Sequence, residues 1–365
     1  MGIGITQKTI AKSLGVSEVT VNRAFNGSAS VTEATRKRVL DYAQKKGYVP
    51  QRASQALVRN KVRRLALFSS STPVYFWEDI GLGVKNAARE IAPFNYEVVY
   101  HKIPDADTAA YIKILKREIR KGLDAAAFVW QRIYDMEQIL ALVEKAGIPY
   151  IFFNDDKPEK DTNRLCFIGC NYTAGGKLAA NFIGTCLGAA LGSKKPVLVI
   201  SLLEKFDLEG KSSSLNHRRL EGFSSVMKEK YPRQKYEVRY IDQTKNLNPA
   251  VQVRKILAEF EGKVRAVYFI PPFNMEFLSA LATYNYDNVI TVLHDIEQVA
   301  THYVRNGLLT AAIFQEPILQ GYGATHILEN ILEKRISGYE AEDVEIFHNL
   351  ILRENTGLLD RQYVF

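Results

Sequence analysis

Short apolar runs and amphipathic helical stretches alternate along most of the chain. From Arg64 onward, Leu65-Ala66-Leu67-Phe68, Ala125–Val129, Tyr150–Phe153, Pro196–Ile200, Ala266–Ile270 and Val289–Leu293 are almost unbroken by polar positions. Runs of that length, rich in branched and aromatic residues, read as strands covered on both faces, the pattern of parallel sheets. Between them, Leu82–Ile91, Ile112–Arg120 and Met136–Lys145 follow the helical period. The alternation predicts βαβ units. This body is too long for one open sheet, so two similar lobes are expected. Ligands of such sheets sit beyond the carboxyl ends of the strands, which makes the cleft between lobes the expected site.

The first fifty residues keep the helical period throughout. Ile10, Ala11 and Leu14 share one helix face; Thr6 is placed to cap that helix and Gly15-Val16 to break it. Ser17 caps a second helix, Glu18–Phe25, with Val21, Ala24 and Phe25 inward, and Asn26-Gly27-Ser28 has turn chemistry. Thr32 caps a third, in which Val39, Leu40 and Ala43 face inward and Gly47 is the stop. Two short helices joined by a tight glycine turn, with a third packed behind, form a helix-turn-helix. Opposite its apolar stripe the second helix carries Glu18, Val19, Asn22 and Arg23. Such a face suits a DNA major groove. Arg23 can pair bidentately with guanine and Val19 can meet a thymine methyl, while Glu18 either accepts from a cytosine amino group or simply complements the helix dipole. Thr20 and Asn22 read as phosphate contacts.

Charge sharpens this division. The 365 residues are 47% hydrophobic and 24% charged, which excludes disordered, collagen-like and disulfide-rich classes and leaves room for two or three domains. The formal charge of +8 is unevenly spread: residues 1–64 hold 13 basic and 3 acidic side chains, a net +10, and the remaining 301 hold 35 and 37, a net −2. A basic head on a near-neutral body points to a polyanion partner for the head alone.

Other chemistry is sparse. Met1–Thr6 lacks a basic n-region and an apolar core, and Leu178–Leu191 is interrupted by Asn181 and Thr185 and too short to span a bilayer, so a soluble cytoplasmic chain with no membrane partner is expected. Cys166, Cys170 and Cys186 sit in apolar surroundings and read as buried thiols; no Cys/His cluster has metal-site spacing, so neither metal nor cofactor is expected. Gly175-Gly176-Lys177 is followed by Leu178, and Gly210-Lys211-Ser212 has Lys205 where a phosphate loop needs glycine. No nucleophile elbow or zinc-protease motif occurs, and the six scattered histidines read as structural. An enzyme is not expected.

Thr9-Ile10-Ala11-Lys12-Ser13-Leu14-Gly15-Val16-Ser17, Thr20-Val21-Asn22-Arg23, Asn26-Gly27, Val31-Thr32, Thr35-Arg36 and Gly47-Tyr48-Val49-Pro50 together resemble the head of the lactose/galactose-repressor (LacI/GalR) family. The resemblance implies a DNA-binding domain over 1–50, with DNA contacts from Thr6, Ser17, Glu18, Val19, Thr20, Asn22, Arg23 and Asn26. It also implies a hinge helix over 51–61 that pairs on DNA with a second copy. There Leu57 would be a minor-groove wedge flanked by Arg52 and Arg59, with Ser54 in place of the usual alanine. Alone, that segment is too short to fold as a helix in water, or would be an ordinary linker.

The body, along 62–357, is similar to the two-lobed, type I periplasmic-binding-protein-like effector domain of the same family. The landmarks are Gly169-Cys170-Asn171 with Ala174-Gly175-Gly176, Arg219–Phe223, His294-Asp295, Ile313-Phe314-Gln315 and Asn349–Arg353. The fold expected is thus a small all-α head on an α/β body of parallel sheets. Lobe 1 takes 62–167 and 317–344, lobe 2 takes 168–316 and 345–357, and 358–365 is a tail. By position, Arg219 and Asp295 are the main effector contacts, clamping vicinal hydroxyls, or else a surface ion pair. Gln315 contacts ligand or caps a strand end. Tyr75, Phe76 and Trp77 make an aromatic wall for a sugar ring, or core or dimer contacts. Trp130, Gln131 and Asn154 end strands on the cleft side. Pro271-Pro272-Phe273-Asn274 stands where the family commonly has Asn-Asp, so a polar contact there is lost or moved to Asn274.

The resemblance implies a homodimeric transcription regulator, read as a repressor of carbohydrate genes, that binds near-palindromic operator DNA and is switched by a small sugar-type effector. Closure would reach the dimer contact near Leu82–Glu90, and the absence of a leucine heptad tail before Phe365 favours a dimer over a tetramer. The alternatives are a regulator responding to a nucleobase, nucleoside or sugar phosphate by corepression or activation, and a solute-binding protein without regulatory role.

Overall fold

The computed structural model describes residues 5–25, 30–46, 48, 62–156, 162–203, 214–245, 247–333 and 342–359. Asn26, Gly47, the hinge segment 51–61 with Arg52, Ser54, Leu57 and Arg59, and the Lys205 and Gly210–Ser212 positions lie outside them.

In the head, α1 (Gln7–Leu14), α2 (Glu18–Phe25) and α3 (Glu33–Lys45) begin at the expected caps. The hydroxyl oxygens of Thr6, Ser17 and Thr32 accept from the backbone N–H of Thr9, Thr20 and Thr35 at 3.2, 3.0 and 3.3 Å, satisfying donors that a helix start leaves free. Gly15 ends α1 in the left-handed region at φ 66°, where a side chain would be strained. Ile10, Ala11, Val21, Ala24, Val39 and Ala43 form the core, with Phe25 and Tyr48 packed against it, their ring centroids 5.5 Å apart. Arg38 of α3 donates to the Leu14 carbonyl at 2.8 Å, tying α3 to the turn.

The body begins with β1 (Arg63–Ser70), α4 (Val74–Ile91), β2 (Tyr96–Ile103), α5 (Thr108–Arg120), β3 (Leu123–Phe128), α6 (Met136–Lys145), β4 (Tyr150–Phe153) and β5 (Phe167–Gly169). A second series follows: α7 (Tyr172–Leu187), β6 (Val197–Leu203), α8 (Leu215–Lys230), β7 (Tyr236–Asp242), α9 (Pro249–Phe260), β8 (Ala266–Phe269), α10 (Asn274–Leu281), β9 (Ile290–His294), α11 (Thr301–Arg305) and β10 (Ala311–Phe314). The chain ends with α12 (Pro317–Leu332), β11 (Val344–Glu345) and β12 (Asn349–Ile351). Among the described residues these strands make two six-stranded sheets, ordered β11-β5-β4-β3-β1-β2 and β12-β10-β9-β8-β6-β7. The β3–β4–β5–β11 and β7–β6–β8–β9–β10 ladders are parallel, while β12 runs antiparallel to β10.

The two sheets therefore repeat one plan, and each is the framework of one lobe. The six expected strands all form, buried on both faces as their continuous apolar runs require. The sheet-edge strands β2 and β7 are half-exposed and carry alternating polar residues, and the short β5, β11 and β12 give too few residues for a periodic signal. The chain passes between lobes after β5, after β10 and after β11. The expected boundaries at 167/168 and 344/345 fall within β5 and β11, which end two residues and one residue later, at Gly169 and Glu345. Cys166 and Cys170 are buried as expected, but Cys186 is exposed. It falls off the α7 stripe of Ala179, Ala180, Ile183 and Leu187, which alone meets the core. No helix among the described residues is long and apolar enough to cross a membrane.

Both lobes pack a pair of helices at backbone contact. In lobe 2, a Cβ on Gly176 of α7 would lie 1.9 Å from the Arg219 carbonyl oxygen of α8, and one on Gly222 would lie 2.0 Å from that of Thr173. In lobe 1, Gly83 of α4 and Gly321 of α12 stand in the same relation to Ile318 and Ile80, at 1.9 and 2.1 Å. Gly175-Gly176 is thus a packing motif rather than part of a phosphate loop. Gly176→Ala is expected to force α7 and α8 apart at a cost of about 1–3 kcal/mol, seen as a lower melting temperature by circular dichroism; an unchanged melting curve would overturn this assignment.

Candidate functional site

The head offers one face. Val21 and Ala24 turn inward from α2, leaving Glu18, Val19 and Arg23 exposed. Val19 is 57% exposed, an apolar side chain with no core to serve. Thr6 and Ser17 are also exposed, Thr20 and Asn22 half-buried. Ser17 and Thr20 hydroxyls are bonded to one another at 2.9 Å, so capping already engages them.

In the body, a cavity of about 480 Å³ lies among the strand ends and helix starts of the two lobes. All eight residues expected to contact an effector, Tyr75, Phe76, Trp77, Trp130, Asn154, Arg219, Asp295 and Gln315, line it, as does Gln131. Asp295 follows β9 at φ 60°, its N–H donating to the Ile313 carbonyl of β10 at 2.9 Å. Asn154 follows β4 at φ 62°, with its N–H donating to the Ile168 carbonyl of β5 at 2.9 Å. The two stand at corresponding points of the repeated sheets, in a backbone region that asparagine and aspartate tolerate better than most residues.

Arg219 of α8 is 3% exposed and is no surface ion pair. Its Nη2 donates to Asp295 Oδ2 at 3.3 Å and its Nη1 to the Ile270 carbonyl at 3.4 Å, while Gln315 Nε2 donates to the same Asp295 oxygen at 2.7 Å. The Tyr172 ring lies 5.2 Å from the guanidinium carbon. Burial pushes the Asp295 carboxyl above the usual carboxylate range, opposed by Arg219 and Gln315. Asp295 Oδ1, Gln315 Oε1 and Arg219 Nε are buried with no protein partner. Two acceptors and a donor left open beside a cavity match a ligand bearing hydroxyls, because each hydroxyl both donates and accepts.

Aromatic rings supply the apolar surface. Phe76 and Trp77 meet edge to face at 5.1 Å, and Trp77 Nε1 is satisfied by the Thr72 carbonyl at 2.8 Å. Gln131 bonds Ser70 twice, accepting from its N–H at 3.0 Å and donating to its hydroxyl at 2.8 Å, which ties the end of β1 to the segment after β3. Asn154 Nδ2 donates to Gln320 of α12 at 3.0 Å, and Gln320 in turn donates to the Gln315 carbonyl at 2.6 Å.

Residues 65–336 match the family model for a periplasmic binding protein domain, and residues 6–51 match that of bacterial regulatory proteins of the lacI family. The chain belongs to the periplasmic binding protein domain family. Its head is a LacI-family helix-turn-helix domain. Similar curated proteins include the transcriptional regulator RafR of Escherichia coli, 26% identical over 152 residues (40% of this chain, 42% of RafR), and catabolite control protein A of Priestia megaterium, 22% identical over 149 residues (41% and 43%). These matches span about two-fifths of each relative. Among solved structures, the arabinose-binding protein AraP of Geobacillus stearothermophilus aligns with a TM-score of 0.65 at 19% identity, over 82% of this chain and 99% of AraP. A LacI family transcriptional regulator from Brachyspira murdochii, titled an ABC transporter, also aligns at 0.65, with 16% identity over 82% and 98%. At such identity the likeness is one of fold.

In this family member the Pro271–Asn274 departure has a definite outcome. Pro272 and Phe273 line the cavity, so the strand end is apolar. Asn274 is fully buried behind it and donates to the Tyr75 hydroxyl at 3.0 Å and the Asp295 carbonyl at 3.3 Å. Sequence reasoning missed Asp155, Tyr172 and Arg218, which also line the cavity. Asp155 follows Asn154 beyond β4, and Tyr172 opens the helix after β5. The strand-end rule pointed to the end of β4 and so to Asp155, but not to Tyr172, since β5 is too short to be read as a strand.

Beneath Asp295, the His294 Nδ1 shares a hydrogen bond with the Tyr268 hydroxyl at 2.9 Å, and its ring meets that of His348 edge-on at 5.6 Å. Burial, then the charge of Arg219, lowers His348 to about 4 and His294 well below the usual imidazole range. Unfolded imidazoles bind a proton near pH 6.5, so between that value and 4 the unfolded chain holds more protons, and stability falls as pH falls. His348 alone is expected to remove about 2 kcal/mol by pH 5. The check is the melting temperature at pH 7 and pH 5: His348→Asn should show a smaller drop than the parent chain, and an equal drop would refute the assignment.

Proposed function

We propose that the chain is a DNA-binding transcription regulator, a repressor, whose operator affinity is switched by a small neutral sugar-type effector held between the two lobes. The observation that carries this reading is the buried Arg219–Asp295–Gln315 group. All three residues line an aromatic-walled cavity and keep buried polar atoms without a protein partner, in a chain whose +10 head carries the LacI-family pattern. Arg219 and Asp295 clamp adjacent hydroxyls, and Tyr75, Phe76, Trp77 and Trp130 cover the C–H face of a sugar ring. Asn154 and Gln315 hold the strand ends that present these groups. Charge supports a neutral ligand: Arg219 faces Asp295, Arg218 faces Asp155, and Asp105 and Asp156 are offset in part by Arg132, so the lining is near balance.

On the DNA side, Glu18, Val19 and Arg23 read bases, and Thr6, Ser17, Thr20, Asn22 and Asn26 position the head on phosphate. Two copies pair as a homodimer on a near-palindromic operator, with the 51–61 segments as hinge helices and Leu57, beside Arg52 and Ser54, as the minor-groove wedge. The chain acts in the cytoplasm and turns over no substrate. The effector must bind the open and closed arrangements of the lobes unequally, since equal affinity would switch nothing.

Arg23→Ala is expected to weaken operator binding about 10- to 100-fold and to relax specificity at the contacted base pair, measured by fluorescence anisotropy against an operator selected from random duplexes. Equal affinity in both proteins would remove Arg23 from the reading face. Asp295→Ala is expected to leave operator affinity intact and to lower affinity for the effector at least about 100-fold. The effector is first found by thermal shift with neutral pentoses and hexoses, sugar phosphates and nucleosides. A hit confined to phosphates or nucleosides, or parental affinity in Asp295→Ala, would overturn the cavity assignment.

A further inference from the structure

Besides Tyr172, two side chains of lobe 2, Arg218 and Asn274, bond to side chains of lobe 1 at the cavity. Arg218 of α8 makes an ion pair with Asp155, beyond β4, with Nη2 and Oδ1 2.5 Å apart. The Arg218 guanidinium carbon also lies 4.7 Å from the centre of the Tyr172 ring, and the Tyr172 hydroxyl donates to the Asn154 carbonyl at 2.7 Å. Asn274, at the start of α10, donates to the hydroxyl of Tyr75 on α4 at 3.0 Å. Its second amide hydrogen goes to the Asp295 carbonyl at 3.3 Å, on its own lobe. Asp155, Arg218 and Tyr75 all line the cavity.

These contacts differ in kind from those along the three passages of the chain. The passages join the lobes along the chain, whereas Arg218 and Asn274 join them through side chains that meet partners in the other lobe. Asp155 and Arg218 are each about four-fifths covered, with side-chain exposures of 17% and 24%, so solvent screens the pair only in part. The Tyr75–Asn274 bond is deeper. In it the Tyr75 hydroxyl oxygen accepts from Asn274, so its own hydrogen is not used in this bond.

We propose that Arg218 and Asn274 are positioning residues that clasp Asp155 and Tyr75 across the cleft, one by charge and one by a neutral hydrogen bond, and so set how readily the lobes close on the effector. The inference rests on the reading of the cavity as an effector cleft. Closure then draws on protein–protein contacts as well as on the ligand, so a ligand need supply only part of the free energy that shifts the lobes. The Asn274 amide joins the Tyr75 hydroxyl to the Asp295 backbone, so the lobe 1 donor and the lobe 2 acceptor are set in register by one side chain.

The chain's two tryptophans, Trp77 and Trp130, both line the cavity, so their quenching by acrylamide reports cleft opening with no effector added. Arg218→Glu is expected to raise the quenching constant about two- to threefold, and adding Asp155→Arg to restore it. Arg218→Met keeps an unbranched aliphatic side chain while removing the guanidinium that meets Asp155 and Tyr172, and should raise quenching similarly, which keeps the test available if the charge reversal fails to fold. Asn274→Ala and Tyr75→Phe should each raise quenching, and the double variant no further than either alone. Parental quenching in Arg218→Met, or no restoration in the reversed pair, would overturn the ionic clasp; additive Asn274 and Tyr75 effects would overturn the neutral one. Since no ligand enters the measurement, failure here leaves the sugar reading standing, and failure of the ligand screen leaves the clasps standing.

Discussion

The buried pair of Arg219 and Asp295 is the constraint around which the body is organised. Taking both charges out of water is costly, and their attraction offsets that cost only if the remaining donors and acceptors are also met. Gln315 from the end of β10 and the Ile270 carbonyl from the end of β8 supply part of what is needed. Asp295 Oδ1, Gln315 Oε1 and Arg219 Nε remain buried without a protein partner. The position of the pair depends in turn on the glycines of α7 and α8, because only without a Cβ at Gly176 does the backbone of Arg219 come so close. Packing of two helices and polarity of the site are one problem in this lobe.

The same economy explains the histidines. His294 lies directly before Asp295, and its neighbour His348 comes from the last passage between lobes. With Arg219 near, a proton on either ring would add a like charge to a dry site, so both stay neutral and serve as packing. At the corresponding strand end of lobe 1, Asn154 stands where Asp295 stands in lobe 2, neutral and bonded to Gln320. The carboxylate there belongs to the next residue, Asp155, and pairs with Arg218 of lobe 2. The repeat of the two sheets therefore ends in two different chemistries: one carboxylate paired within its own lobe, the other paired across the cavity.

The head obeys a separate logic. Its core is small and drawn from all three helices, and three hydroxyl caps and the left-handed Gly15 set where those helices start and turn. What it exposes is basic and, at Val19, apolar, while the body carries almost no net charge. Long-range attraction to a polyanion is thus confined to one end of the chain, and the cavity is free to select on shape and hydrogen bonding.

Much of this was legible in the chain itself. Caps, turns and helix stripes act over three or four residues, so Thr6, Gly15, Ser17 and Thr32 declared the head. The unbroken apolar runs declared the central strands because those are covered on both faces. The edge strands β2 and β7 could not be read this way, since half-exposed residues lose the period that burial imposes. Motif order placed Tyr75, Trp130, Arg219, Asp295 and Gln315 at strand and helix ends, and so near one cleft. Tertiary structure alone decided which partners they meet. That Asn274 would lie behind Tyr75 rather than face the cavity, and that Arg218 would reach a carboxylate in the other lobe while its neighbour Arg219 pairs within its own, depends on contacts between residues 199 and 63 positions apart. Local sequence carries no record of such distances, because they are set by how two separately folded sheets come to face one another.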